Sequence, residues 1–566
     1  MISSAKKSVV DLVDLLYLKG VRHFIISPGS RNAPITIAAN RHGGFKMHCI
    51  VDERSAAFFA LGIAQQTHNL VVICCTSGTA ALNYSPAIAE AYYQKIPLLI
   101  LTADRPKEWI DQMDGQTIRQ LNIYQNYIKA SFEFPTEPSN EDELWHCNRI
   151  ASEAIECAIY PEFGPVHINI PFREPLYNVV EYPNERIVHS FSTIQTQLEL
   201  SSNESSLLIQ QWQQANKILI VTGLMHTDEK LNDILATLSQ QQKVAILTET
   251  TSNVFGDGFN RCIDRLINTI EGGENITDYF PDLLITIGGP VVSKKIKSFL
   301  RKNKQQKHWH INASNDYVDT YKNLTKIIPV QPAIALKLFV NENLQNASNY
   351  RDLWLSLDKK LTALFKNYMQ TVDFSDLWVT QEVLNHTPKN SYLHLANSTA
   401  VRYSNLFNIC SDRFLKCYSN RGTSGIDGTV STAVGAASVT KATNTLITGD
   451  LSFLYDSNAL WIKPFPQNLK IVVINNGGGS IFRIIDGPAS TPELEQFFEA
   501  KHDISLEYLC KTFGVKYSFA DSKTHLNIAL QNLYTHNNAE VLEVKTNYLT
   551  NPIVLKNYFT YLKNNL

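Results

Sequence analysis

The sequence predicts an α/β protein of three doubly wound domains, each a parallel sheet with helices on both faces. Three observations carry this prediction. Apolar, β-branched runs of four or five residues recur, each halting at a Gly/Ser/Asp-rich tip and followed by a helical pattern. The 566-residue length admits two to four domains, and a 44% hydrophobic composition supplies a core for each. The alternation lapses twice, at about 176–200 and in a Leu/Lys/Asn-rich helical stretch that ends near 375, which divides the chain into 1–180, 200–345 and 376–566.

The first domain opens with an amphipathic helix carrying Val9, Val10, Leu12, Val13, Leu15, Leu16 and Leu18. A strand at 24–26 then runs into Ser27-Pro28-Gly29-Ser30-Arg31-Asn32-Ala33-Pro34 and a helix at 35–40. A strand at 47–51 leads to Asp52-Glu53-Arg54-Ser55 and a small-residue helix at 56–65. Strands at 71–75 and 97–101 stop at Thr76-Ser77-Gly78-Thr79-Ala80 and Thr102-Ala103-Asp104-Arg105-Pro106. The middle domain offers strands at 218–222, 244–248, 283–287 and 309–312, the third at 445–448, 471–474 and 540–545 before a C-terminal helix. In such sheets the functional groups gather on the tips at the carboxyl ends of the strands.

Two tips of the third domain stand out. Gly449-Asp450 follows one buried strand pattern, and Asn475-Asn476-Gly477-Gly478-Gly479 follows the next. A carboxylate, an amide oxygen and an approachable glycine backbone suit octahedral Mg²⁺, which keeps its remaining positions for water and phosphate oxygens. These residues therefore read as a Mg²⁺-diphosphate site.

The Gly-Asp…Asn-Asn pattern resembles the diphosphate motif of thiamine diphosphate (ThDP) enzymes, and its place in the third of three α/β domains resembles the pyruvate-oxidase-like architecture. The resemblance implies that Asp450, Asn476 and the Gly478 carbonyl hold Mg²⁺ or Mn²⁺, and that Gly449 and Ser77 touch the cofactor. It implies a pyrimidine-binding domain at 1–180, a central Rossmann-like domain at 200–345 and a diphosphate-binding domain at 376–566. Glu53 is then the catalytic acid at the pyrimidine N1′. The two gripping domains come from different subunits, which implies a homodimer or homotetramer with active sites between subunits.

Five segments in order are similar to the 2-succinyl-5-enolpyruvyl-6-hydroxy-3-cyclohexene-1-carboxylate synthase family of menaquinone biosynthesis. They are the Ser27–34 tip, Asp52-Glu53-Arg54, Thr76-Ser77-Gly78-Thr79-Ala80, Leu101-Thr102-Ala103-Asp104-Arg105-Pro106, and Ser419-Asn420-Arg421 through Ile426-Asp427-Gly428. The implied reaction is decarboxylation of 2-oxoglutarate and 1,4-addition of the resulting succinyl-semialdehyde carbanion equivalent to isochorismate. Those substrates are rich in carboxylates, which arginine binds bidentately. The resemblance assigns substrate binding to Arg31, Arg105, Arg402 and Arg421, helped by Ser30, Gln116, Asn397 and Ser398. Ile426 props the cofactor into its bent form, while Ile481 and Phe482 line the substrate pocket. Lys294-Lys295 stands where the family commonly has Lys-Arg, and Gly115 where it often has Asn.

The net charge of −2, from 51 basic and 53 acidic residues, gives no footprint for nucleic acid. Nine cysteines without a Cys-x-x-Cys pair fit reduced core thiols. With no signal-peptide pattern and no long apolar span, the expected location is cytoplasmic. His308, His310 and His394 read as core or surface histidines. The alternatives are another ThDP-dependent 2-oxoacid decarboxylase or acetolactate synthase-like carboligase, a nucleotide-binding oxidoreductase, and a non-catalytic scaffold. Val221-Thr222-Gly223-Leu224-Met225 lacks Gly-x-Gly-x-x-Gly, which disfavours the oxidoreductase.

Overall fold

The computed structural model describes residues 1–183, 186–226, 228–304, 306–314, 316–342, 348–409, 414–485 and 487–566. The chain forms two compact units, one of Met1–Gln195, Asn420–Lys441 and Leu454–Gln467, the other of Thr196–Ser419, Ala442–Phe453 and Asn468–Leu566.

In the first unit, β1 (Ile2–Ser4) pairs antiparallel with β8 (Val179–Glu181) as a short ribbon. The main sheet contains β2 (His23–Ile26), β3 (Lys46–Cys49), β4 (Val71–Cys75), β5 (Leu98–Asp104), β6 (Ser131–Glu133) and β7 (Val166–Pro171). Its order is β3-β2-β4-β5-β7-β6, with every pair parallel. β4 and β5 are buried along their whole length, which is why they read as continuous apolar runs. β7 is equally buried yet carries His167 and Asn169. Both are held by partners: Thr102 Oγ1 donates to Asn169 Oδ1 at 2.8 Å and lies 2.7 Å from His167 Nε2. Burial lowers His167 to about 3, so it stays neutral there.

The Glu53–Thr67 helix follows β3 and packs against the Thr429–Ala437 helix of the same unit. Glycines set their approach. A Cβ on Gly62 would lie 2.0 Å from the Thr432 carbonyl oxygen, and one on Gly435 would lie 2.0 Å from that of Phe59. The helices touch backbone to backbone.

In the second unit, the middle sheet holds β9 (Ile218–Thr222), β10 (Val244–Leu247), β11 (Phe259–Asn260), β12 (Leu283–Ile287), β13 (Lys307–Ile311) and β14 (Leu324–Ile328) in the order β11-β10-β9-β12-β13-β14. This is the Rossmann order, whose reversal between β9 and β12 is where a dinucleotide would lie. Here that point is laced by backbone: Gly223 N donates to Ile287 O at 2.9 Å, and Gly289 N to Leu224 O at 2.7 Å. The predicted end of the middle domain, 345, lies outside the described residues.

The third sheet contains β15 (Ser391–Leu395), β16 (Phe414–Tyr418), β17 (Asn444–Gly449), β18 (Leu469–Asn475), β19 (Lys516–Ala520) and β20 (Glu540–Lys545). Its order, β16-β15-β17-β18-β20-β19, repeats the connectivity of the first sheet strand for strand. One apolar cluster runs from Leu219 and Leu247 through Trp354 and Leu361 of the Tyr350–Thr371 helix to Leu393 and Val472. The predicted class, parallel α/β sheets flanked by helices, is the observed one. Among the described residues, no helix is long and apolar enough to cross a membrane.

Candidate active site

In the first unit the tips at the carboxyl ends of β2, β3, β4 and β5 carry the predicted residues. Asp52 caps the Glu53–Thr67 helix, accepting from Arg54 N at 2.9 Å and Ser55 N at 3.3 Å, and Asn458 Nδ2 donates to its other oxygen at 2.7 Å. Glu53 thus begins a helix whose entry is fixed on two sides. Its side chain lines a cavity of about 440 Å³ together with Gly29, Thr76, Ser77 and Gln116. Burial raises the Glu53 pKa, opposed by its own backbone N–H and helped by Asp52. A carboxyl in that setting can hold or give a proton nearer neutrality than a solvated one.

Arg31 is buried, donates to Phe172 O at 3.1 Å and pairs with Glu174 at 3.2 Å. Burial, then the neighbouring Arg105 guanidinium, lower Arg31 from the usual arginine range. Arg105 itself donates from Nε to Gly115 O at 3.0 Å and meets Asp114 Oδ2 at 2.8 Å. Two guanidiniums therefore share one region, each holding a carboxylate of the chain. Gln116 is exposed with φ 57, and Ser30 is exposed on the β2 tip. Arg421 is buried, and the loop behind it is pinned by Glu90, which accepts from Gly422 N and Thr423 N, each at 2.7 Å. Ile426 is exposed.

In the second unit Gly449 ends β17 and Asp450 begins the next helix. Asp450 accepts from Leu451 N at 2.8 Å on one oxygen, and on the other from Gly478 N at 2.8 Å, with His502 Nε2 at 3.1 Å. The Asp450 hydrogen bond raises the His502 pKa. Asn476, just past β18, donates from Nδ2 to Asp376 Oδ2 at 2.9 Å and to Ser480 Oγ at 2.8 Å. Its Oδ1 is buried without a hydrogen-bond partner. Gly478, at φ 146, passes so close to Glu499 that a Cβ would lie 2.5 Å from that residue's carbonyl oxygen. An unpartnered amide oxygen beside a carboxylate and a bare glycine backbone fits a hard divalent cation and its diphosphate.

The same unit gathers the other predicted residues. Ser398 sits at φ 73, ψ −126 ahead of the Thr399–Ser404 helix, and its carbonyl accepts from Arg402 at 2.6 Å. Asn397 beside it is buried. Such a conformation in a non-glycine residue marks stored strain of the kind found at ligand sites. Burial lowers the Arg402 pKa against Asp264 and Glu249. Lys294 is exposed at the start of its helix, whereas Lys295 Nζ donates to Asn268 at 2.9 Å and lies 5.4 Å from the Phe559 ring centre. Ile481 and Phe482 are half-buried, with Phe482 against Phe498.

Sequence reasoning missed Asp376, Ser480, His502, Asn458 and Glu90. Ser480 lies only four residues from Asn476, on the same tip, but the others act over separations of 52 to 406 residues that no local spacing reports. His308, His310 and His394 are buried, with burial lowering each, so they behave as core residues.

Comparison with known families matches residues 9–125 to the thiamine pyrophosphate enzyme N-terminal TPP binding domain and residues 189–395 to the middle domain of thiamine pyrophosphate enzymes. The chain is similar to the 2-succinyl-5-enolpyruvyl-6-hydroxy-3-cyclohexene-1-carboxylate synthase of Flavobacterium johnsoniae, at 41% identity over 97% of this chain and 98% of the relative. Proteins of the same name from Porphyromonas gingivalis and Bacteroides thetaiotaomicron are 38% and 35% identical, each over 99% of this chain and 98% and 99% of their own lengths.

Proposed function

The chain belongs to the 2-succinyl-5-enolpyruvyl-6-hydroxy-3-cyclohexene-1-carboxylate synthase family of ThDP enzymes, and from that premise we propose how its own residues carry the family's reaction. It is a ThDP-dependent, carbon–carbon bond-forming transferase of menaquinone synthesis. It decarboxylates 2-oxoglutarate and adds the succinyl unit 1,4 to isochorismate, releasing CO₂.

Bound ThDP supplies the nucleophilic carbon and the electron sink. Glu53 holds the proton at the pyrimidine N1′, and its capped helix start and desolvated carboxyl are the observation that carries this reading. Asp450, Asn476 and the Gly478 carbonyl would hold Mg²⁺ or Mn²⁺, which would supply the positive charge that a diphosphate needs, and Gly449 stands in open space beside Asp450. Arg31, Arg105, Arg402 and Arg421 orient substrate carboxylates, which displace the chain's own Asp114 and Glu174 from the first two. Gln116 and Ser398 add polar contacts, and Ile481 and Phe482 exclude water. We also propose a cytoplasmic homodimer or homotetramer with active sites between subunits.

The test is to incubate the protein with 2-oxoglutarate, isochorismate, ThDP and Mg²⁺ and to identify the product by mass. The synthase product is expected. Succinic semialdehyde alone would indicate a plain 2-oxoacid decarboxylase.

A further inference from the structure

We propose that Asp376 is the positioning residue that turns the Asn476 amide oxygen toward the metal site. The proposal rests on the metal reading above and deepens it.

Asp376 begins the Asp376–His386 helix and is buried. It lies far from Asn476 in sequence but meets it in the fold. Asp376 Oδ2 accepts from Asn476 Nδ2 at 2.9 Å, and Oδ1 accepts from Thr546 Oγ1 at 2.6 Å. Its backbone N–H donates to Asn551 Oδ1 at 2.9 Å, which anchors the helix start. Ser480 Oγ accepts the second hydrogen of the Asn476 amide at 2.8 Å. Both amide hydrogens are therefore engaged, and Oδ1 is left buried with no partner.

An amide can normally be turned over at little cost, because oxygen and nitrogen have nearly the same shape. Here the partners favour one orientation. Asp376 accepts on both oxygens, from Asn476 Nδ2 and Thr546 Oγ1, so the turned amide would set its oxygen against an acceptor. The held orientation presents oxygen, the one amide atom a hard cation takes. Nothing in the Asp450…Asn476 spacing identifies this residue, since it enters from a different helix.

The experiment titrates Mn²⁺ into the protein with ThDP present and follows free Mn²⁺ by electron paramagnetic resonance, a readout independent of turnover. Asp376→Asn supplies a donor as well as an acceptor, so Asn476 can settle either way round. Mn²⁺ binding is expected to weaken about ten-fold, the scale of losing such a supporting contact. Asn476→Asp alone sets two buried carboxylates face to face and weakens binding as well. In the exchanged pair, Asp376→Asn with Asn476→Asp, the new amide donates to the new carboxylate, whose other oxygen takes the place of the Asn476 amide oxygen at the metal. Binding is expected to return to within about three-fold of the parent, a coupling that independent structural damage would not produce. Parent-like binding in Asp376→Asn, or an exchanged pair no better than the weaker single variant, overturns the proposal. If Asn476→Asp does not fold, the parent and Asp376→Asn titrations decide alone. A parent that binds no Mn²⁺ with ThDP overturns the metal reading, and this proposal with it.

Discussion

At the scale of single residues, Glu53 and Asp456 show how burial tunes carboxyl groups. Glu53→Gln keeps the shape but removes the acid. Its turnover is expected to fall at least ~10²-fold, the scale of losing a positioned acid, and a steady-state assay near the parent value would remove Glu53 from the mechanism. Asp456 is buried, and burial pushes it up to about 7 against hydrogen bonds from Ser431 N and Oγ. The folded protein then keeps this proton at pH values where the unfolded chain has lost it. Asp456 therefore costs stability as pH rises from about 4 to 7, with no further change above. Asp456→Asn keeps one acceptor and one donor for Ser431 without the titration. Melting curves at pH 5 and pH 8 should show the parent losing more stability between them than the variant does. The strand-end positions of Glu53, Asp450 and Asn476 were legible because each follows a strand pattern, buried for Asp450 and Asn476 and a half-exposed edge for Glu53. Asp376 and His502 were not, because their contacts are tertiary and each lies in a segment with no motif of its own.

At the scale of elements, apolar runs marked β4, β5, β9, β12, β17 and β18, while β7 went unread. Its alternate residues, His167 and Asn169, look like a solvent face, yet the strand is central and both are satisfied by buried partners. Alternation reports polarity, and here polarity was bought by a hydrogen-bond network instead of water. Edge strand β11 is two residues long, and edge strand β14, though as long as β9, is half-exposed and its apolar run is broken by Thr325 and Lys326. The small residues of the Glu53–Thr67 helix were visible, but their purpose was not: they let the Thr429–Ala437 helix approach at Gly62 and Gly435. A methyl group at Gly435 meets a main-chain carbonyl that no rotamer change can move. Gly435→Ala is therefore expected to destabilise the first unit by about 1–3 kcal/mol, read from its denaturant midpoint. An unchanged midpoint would mean that the helices can part without cost.

At the scale of the whole molecule, the first and third sheets share one strand order, and the Rossmann-ordered sheet lies between them in sequence. The repeated order puts tips of equivalent rank on the two sheets. After the third strand of each comes Thr76-Ser77-Gly78 in one and Gly449-Asp450 in the other. Three α/β layers were legible from the alternation, whereas the repeated connectivity was not, since strand order depends on long-range pairing. If active sites form between subunits, two dead variants can rescue each other. Co-refolding Glu53→Gln with Asp450→Ala at equal amounts is expected to restore about a quarter of the parent activity, because half of random dimers are mixed and each has one intact site. Activity that stays at the level of the separate variants would mean that residues 53 and 450 serve a site within one subunit.

In the proposed reaction decarboxylation is coupled to carbon–carbon bond formation. The decisive quantity is the ratio of CO₂ released from 2-oxoglutarate to isochorismate consumed, with ThDP and Mg²⁺ present. A ratio of one, with little CO₂ when isochorismate is withheld, is the predicted result. CO₂ release that proceeds at the same rate with or without isochorismate would contradict it.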